Sequence, residues 1–158
     1  MKTTQARTLK AALALTLAAS ALALPAGSAW SQDNVVQAQV DRWFALWSPG
    51  GEPFDWEAFR DLYSEDGILV VDDFGAGITM IRSTDDYLAT WAPVMADGFA
   101  SWTFAPDTLD IRQSGELAVA TFFATGDGVT TDGERVRSRQ QGTLVLEYDP
   151  AEQEWEIT

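Results

Sequence analysis

The sequence contains no cysteine and no histidine. The first absence excludes disulfides, thiolate metal sites and lipid attachment at cysteine. The second removes the commonest metal ligand and the side chain that most readily exchanges a proton near neutral pH. Basic residues are scarce as well: ten Lys and Arg stand against 24 Asp and Glu, a formal net charge of −14. Such a surface repels nucleic-acid phosphates and anionic lipid, so no nucleic acid and no membrane is expected as a partner of the mature chain. Long apolar runs are missing too. The longest, AALALTLAASALAL, has 14 residues, whereas a membrane span needs roughly 20. Any chemistry falls to Asp, Glu, Tyr, Ser, Thr or Arg.

That apolar run follows Lys2, Arg7 and Lys10 and is ended by Pro25. Gly27 and Ala29 place small residues at the −3 and −1 positions of a cleavage site before Trp30, the pattern of a secretory signal peptide over residues 1–29. The expected product is a periplasmic or secreted domain over residues 30–158, long enough for one real core. It keeps seven arginines against all 24 acids, so its charge deepens to −17.

Within the domain, Asp33 or Asn34 is placed to cap a first helix carrying Val36, Val40, Trp43, Phe44 and Trp47 on one stripe. SPGGEP breaks it, and Asp55 opens a short second helix with Phe59, Leu62 and Tyr63 on one face. A strand from about Gly67 to Asp72 is apolar on both faces, which predicts cover on both sides. Ser83 and Asp86 resemble a capping box for a third helix bearing Tyr87, Leu88, Trp91, Val94 and Met95, and Pro93 should kink or end that helix near Trp91. Trp91 is expected in the core. From Ser101 the period becomes two. Strands are expected through Trp102 and Phe104, over Leu117–Thr125 (apolar on both faces), over Glu134–Tyr148 and from Trp155. GDGVTTDG is read as a hairpin loop and Gly142 as a bulge. Helices followed by a meander of about four strands give an α+β fold, with helices on one face of a curved antiparallel sheet.

FRDLYSEDGILVVDD, STDDYLATWAPVM and RQQGTLVLEYDPAEQEWEI carry a resemblance to the NTF2-like superfamily, and within it to SnoaL-like and ketosteroid-isomerase-like domains. The resemblance covers nearly all of the mature chain. It implies a cone-shaped curved antiparallel sheet wrapped around three helices, a cystatin-like α+β barrel with a pocket at its open end. Such domains include isomerases, cyclases, hydratases, epoxide hydrolases and non-catalytic binders, so fold alone does not settle function. In the ketosteroid-isomerase branch an Asp near the end of the first strand is the base. Aligned without a gap from Asp66 the matching position is Val71, and one inserted residue makes it Asp72. The tyrosine that holds the oxyanion in that branch corresponds to Trp43, whose indole N–H is a less acidic and differently placed donor. Many SnoaL-like relatives continue past a Trp–x–Ile segment into a strand containing His. The resemblance therefore implies a His-containing strand after Trp155-Glu156-Ile157, and the last strand is expected to be cut short in the given sequence.

Asp72 and Asp73 alternate across their strand, so only one can face a pocket. Asp72 inward, desolvated among indoles, would have a raised pKa and serve as a base. The other reading takes DDFGAG as the start of a solvated loop. The chain holds seven Trp, eight Phe and three Tyr. Trp43, Trp47, Tyr63, Trp91 and Trp102 are the candidates to line a cavity for a flat apolar ligand, against plain core as the alternative. Arg135, Arg137 and Arg139 share one strand face. They would bind an anion or, in the preferred reading, offset nearby acids. The acid-rich GDGVTTDG lacks the ligand count and spacing of a calcium loop, and neither metal nor cofactor is expected. The resulting expectation is an exported domain that binds a small, largely apolar molecule in its cone, with proton transfer or hydration assisted by Asp72. The alternative is a non-catalytic binding or assembly module with a filled cone, pairing through its sheet as a homodimer.

Overall fold

A computed structural model describes residues 29–65, 67, 70–73 and 78–158. Residues 1–28, and with them nearly all of the expected signal peptide, lie outside the described residues, as do the side chains of 29–33, 70–73, 78 and 79. The elements run α1 (Ala29–Leu46), α2 (Trp56–Arg60), β1 (Val70–Asp73), β2 (Ile78–Ile81), α3 (Thr84–Gly98), β3 (Phe99–Ser114), β4 (Leu117–Thr130), β5 (Arg135–Asp149) and β6 (Glu154–Ile157). The last four form an antiparallel meander in the order β3-β4-β5-β6.

Local chemistry sets the helix starts. The Asp55 carboxylate accepts from the Ala58 N–H at 3.0 Å, and the Ser83 hydroxyl accepts from the Asp86 N–H at 3.1 Å, each satisfying a first-turn donor that has no partner inside the helix. Helix α1 differs from expectation: it includes Asp33 and Asn34 instead of starting at them. Its stripe of Val36, Val40, Trp43, Phe44 and Trp47 is buried as the helical period requires. Pro93 does not end α3, which continues to Gly98. Pro93 and Ala89 are both exposed, so water can reach the Ala89 carbonyl that loses its donor. Trp91 is only partly buried, while Tyr87, Leu88 and Met95 form the covered face.

The strand expected over Gly67–Asp72 sits elsewhere; its residues 68 and 69 lie outside the described residues. Among the described residues β1 pairs with β2 as a separate two-stranded hairpin, Val70 opposite Ile81 and Asp72 opposite Thr79, and not with the main sheet. β4 is longer than expected: Gly126, Asp127 and Gly128 belong to the strand, and the turn is confined to residues 131–134. Gly142 makes no bulge, since it pairs in unbroken register with Phe122. The register shifts lie in β3, between Phe99 and Ser101 and between Pro106 and Thr108, where extra residues bend a strand and increase its twist.

The helices cover one face of this bent sheet. Ala118, Ala120, Phe122 and Ala124 of β4 point inward and are buried, whereas Leu117 and Phe123 on the opposite face are 48% and 44% exposed. The strand is therefore apolar on both faces, as expected, yet among the described residues only the helix side is covered.

Candidate functional site

Three glycines decide where the aromatic rings lie. A Cβ on Gly126 would come within 2.3 Å of Cζ2 of Trp102, and one on Gly128 within 2.6 Å of its Cε3. The Trp102 ring therefore rests on bare β4 backbone and packs against Phe99 at 4.9 Å. Gly142 accommodates the Phe122 ring in the same way, its Cβ position lying 2.3 Å from Phe122 Cζ. With these rings laid flat, the sheet side of the cone is floored instead of plugged.

The segment after α1 holds this floor in place. Gly50, at φ +68°, exchanges both backbone hydrogen bonds with Trp102, at 3.0 and 2.7 Å. The Ser48 hydroxyl donates to the Phe104 carbonyl at 2.6 Å and accepts from the Phe104 N–H at 2.8 Å. SPGGEP thus pins the free edge of β3 besides breaking the helix.

Above the floor a cavity of about 490 Å³ opens between α1, α3, β3 and β5, inside the 300–1,000 Å³ range of small-molecule sites. Trp43 lines it from α1, Trp47 from the turn that follows, Trp91 from α3 and Trp102 from β3. Phe99, Phe104, Tyr87, Val94, Met95 and Val136 complete the largely apolar wall, and Thr90, Ser138 and Gln140 bring polar side chains. Among the described lining residues none carries a formal charge at neutral pH. Thr90 and Gln140 are exposed and mark the mouth.

Tyr63 does not line this cavity. It sits one layer back, where its hydroxyl accepts from the Trp43 indole N–H at 2.8 Å. Burial pushes the Tyr63 phenol far above its ordinary range, while hydrogen bonds with Trp43 and Tyr87 pull it down. Trp43 is the hub of the wall, with Phe44, Phe122, Phe104 and Trp47 at 5.0, 5.5, 6.0 and 6.1 Å. Its position is thus fixed by both rings and a buried hydrogen bond. The Trp47 indole N–H and the Ser138 hydroxyl are buried without a hydrogen-bond partner, an uncommon state for buried donors.

Asp72 lies on β1 opposite Thr79, and its side chain falls outside the described residues. The arginines of β5 point away from the cavity. Arg137 grips Asp127 with two bonds of 2.7 and 3.0 Å, and Arg139 lies 3.6 Å from Asp107 and over the Phe123 ring. Arg137 holds the Asp127 carboxyl below its usual range and is itself raised. The cavity residues of β5 were legible in the same stretch, because RVRSRQ alternates and Val136, Ser138 and Gln140 must share the face opposite the arginines.

The profile of a family described as a SnoaL-like domain matches residues 36–158. No curated protein matches the chain. Among solved structures, the chain is similar to an NTF2-like superfamily protein from Salmonella enterica serovar Typhimurium, at 17% identity over 80% of this chain and 87% of that one, with a TM-score of 0.66. It is similar to an uncharacterised protein with a cystatin-like fold from Caulobacter vibrioides, at 18% identity over 80% and 84%, TM-score 0.62. A candidate ketosteroid isomerase from Shewanella frigidimarina is 22% identical over 80% and 92%, with a TM-score of 0.59. At these identities the likeness is one of fold.

Proposed function

The chain belongs to the SnoaL-like domain family, and from that premise we propose that it binds a small, largely apolar molecule in the aromatic cavity of its cone. The observation that carries this reading is the cavity itself: about 490 Å³ with four indoles in its wall. Planar apolar groups gain both area burial and ring contact against such walls. The test uses N-phenyl-1-naphthylamine, an uncharged dye that fluoresces in apolar sites. Wild-type protein should bind it at one saturable site. Thr90→Trp, at the exposed mouth, should weaken it at least tenfold with an unchanged unfolding midpoint. Undiminished binding by Thr90→Trp counts against the cavity.

Asp72 is the proposed base for a proton transfer or hydration in this cavity. Support comes from the ketosteroid-isomerase-like relative and from the place of Asp72 on β1. An apolar ketone such as 2-indanone should exchange its α-protons in D₂O faster with protein than without, and Asp72→Asn should abolish the difference. If wild type gives no acceleration, the non-catalytic binding module is the better reading.

Two further parts of the proposal concern setting. Export is supported by the residues before Trp30. Protein recovered from its host should begin near that residue, and an intact Met1 in a cytoplasmic fraction excludes export. A homodimer through the outer face of the sheet is supported by exposed Leu117 and Phe123. Acids on β3 (Asp107, Asp110) and arginines on β5 flank that centre and would exchange across a two-fold axis. A monomer in sedimentation at high micromolar concentration removes the dimer.

A further inference from the structure

The cavity is unusual for its charge as much as for its rings. The mature chain is strongly acidic, and its few cations are arginines. Alternation along β5 sends Arg135, Arg137 and Arg139 to the outer face, where Arg137 and Arg139 meet Asp127 and Asp107. The inward positions of the same strand are Val136, Ser138 and Gln140. No described lining residue offers a cation to an anionic ligand or a carboxylate to a cationic one. An anion entering this space would give up water and find no cation among the described lining residues, a heavy penalty for a desolvated group.

The polar groups that remain are neutral: the buried Trp47 indole N–H and Ser138 hydroxyl in the wall, and Thr90 and Gln140 at the mouth, where a ligand's polar end stays in reach of water. The Thr90 hydroxyl already donates to the Asp86 carbonyl at 2.8 Å, which leaves it only as an acceptor. Gln140 carries both a donor and an acceptor on a side chain at the mouth. From these features we propose that the cavity selects uncharged ligands and rejects anions of the same shape, with Gln140 as the specificity-determining residue that holds the ligand's polar end. This inference rests on the binding reading above and adds the charge class of the ligand and the residue that reads it.

The test displaces N-phenyl-1-naphthylamine with two competitors of nearly equal shape at pH 7, 2-naphthalenemethanol and 2-naphthoate. Displacement counts only competitors that enter the cavity, so naphthoate held at the outer arginines does not register. The alcohol should compete at least tenfold more tightly than the carboxylate. Gln140→Leu should weaken the alcohol about two- to tenfold, the worth of one ordinary hydrogen bond, and Gln140→Arg should narrow the gap between the competitors at least threefold. Equal competition by alcohol and carboxylate overturns the inference while leaving cavity binding intact. A dye that fails to bind wild type overturns both. Unchanged competition in both Gln140 variants removes Gln140 from the role. Circular dichroism of these exposed-site variants should match wild type.

Discussion

Gly126→Ala is a small change that the structure predicts to be costly. Gly in a strand interior is ordinarily about 0.5–1 kcal/mol worse than Ala, because its backbone loses more freedom on folding, so chain entropy alone favours the substitution. Packing argues the reverse. The new Cβ would lie 2.3 and 2.4 Å from Cζ2 and Cη2 of Trp102, and 2.7 Å from the Ser138 hydroxyl. Trp102 is buried and packed against Phe99, so its ring must lift from the sheet and into the cavity. Overpacking of this kind costs about 1–3 kcal/mol, which exceeds the entropic gain. The net loss of roughly 1–2 kcal/mol should lower the urea midpoint by on the order of 1 M. Gly98→Ala is the control, since a Cβ there meets nothing within 4 Å, and it should be neutral or stabilising. If Gly126→Ala is as stable as wild type, the Trp102 ring does not rest on β4 and the floor of the cavity is misplaced.

Trp43→Ala removes the ring hub and its bond to Tyr63, and should cost about 3–5 kcal/mol in equilibrium unfolding. Trp91→Ala, at a partly buried wall position, should cost clearly less and weaken ligand more. Equal costs for the two would deny Trp91 its place on the wall. Because the folded pKa of Tyr63 is raised, its stabilising effect is complete below about pH 10, the unfolded value, and is lost as pH rises above it. Stability should then fall by up to about 1.4 kcal/mol per pH unit. Tyr63→Phe should flatten that fall between pH 9 and 11 in urea titrations. Glu156 is also raised, first by desolvation and then by Asp149, Glu152, Glu154 and Glu65. Its neutral form is favoured, so stability is present at low pH and lost as pH rises through the folded pKa. Glu156→Gln should raise the midpoint at pH 7 and leave it unchanged at pH 3, and a lowered midpoint at pH 7 would contradict this.

Features that depend on neighbours in sequence were legible. Asp55 and Ser83 cap α2 and α3 through their own side chains, and the stripe on α1 is buried because the helical period puts it on one face. Features set by distant partners were not. Gly126 and Gly128 read as turn residues because glycine is common in turns, yet they sit within a strand because Trp102, more than 20 positions earlier, lies on them. Gly142 reads as a bulge for the same reason, its true partner being the Phe122 ring. Hydropathy marks β1 as buried but does not say which strand it pairs with, so its place in a separate hairpin was hidden. Four of the five aromatic candidates line the cavity. Tyr63 does not, because its hydroxyl is spent on the Trp43 indole, a contact between two elements that no local pattern reports.

The central claim is that a ligand enters the aromatic cone, and the indole N–H signals of a ¹⁵N-labelled sample test it most directly. Saturation with N-phenyl-1-naphthylamine should move the Trp43, Trp47, Trp91 and Trp102 signals, assigned by single substitutions, because these four rings line the cavity. Trp155, buried against Tyr148 away from that wall, should stay in place. Movement of Trp155 equal to that of Trp91, or no movement of the four cavity signals at saturation, would contradict the account.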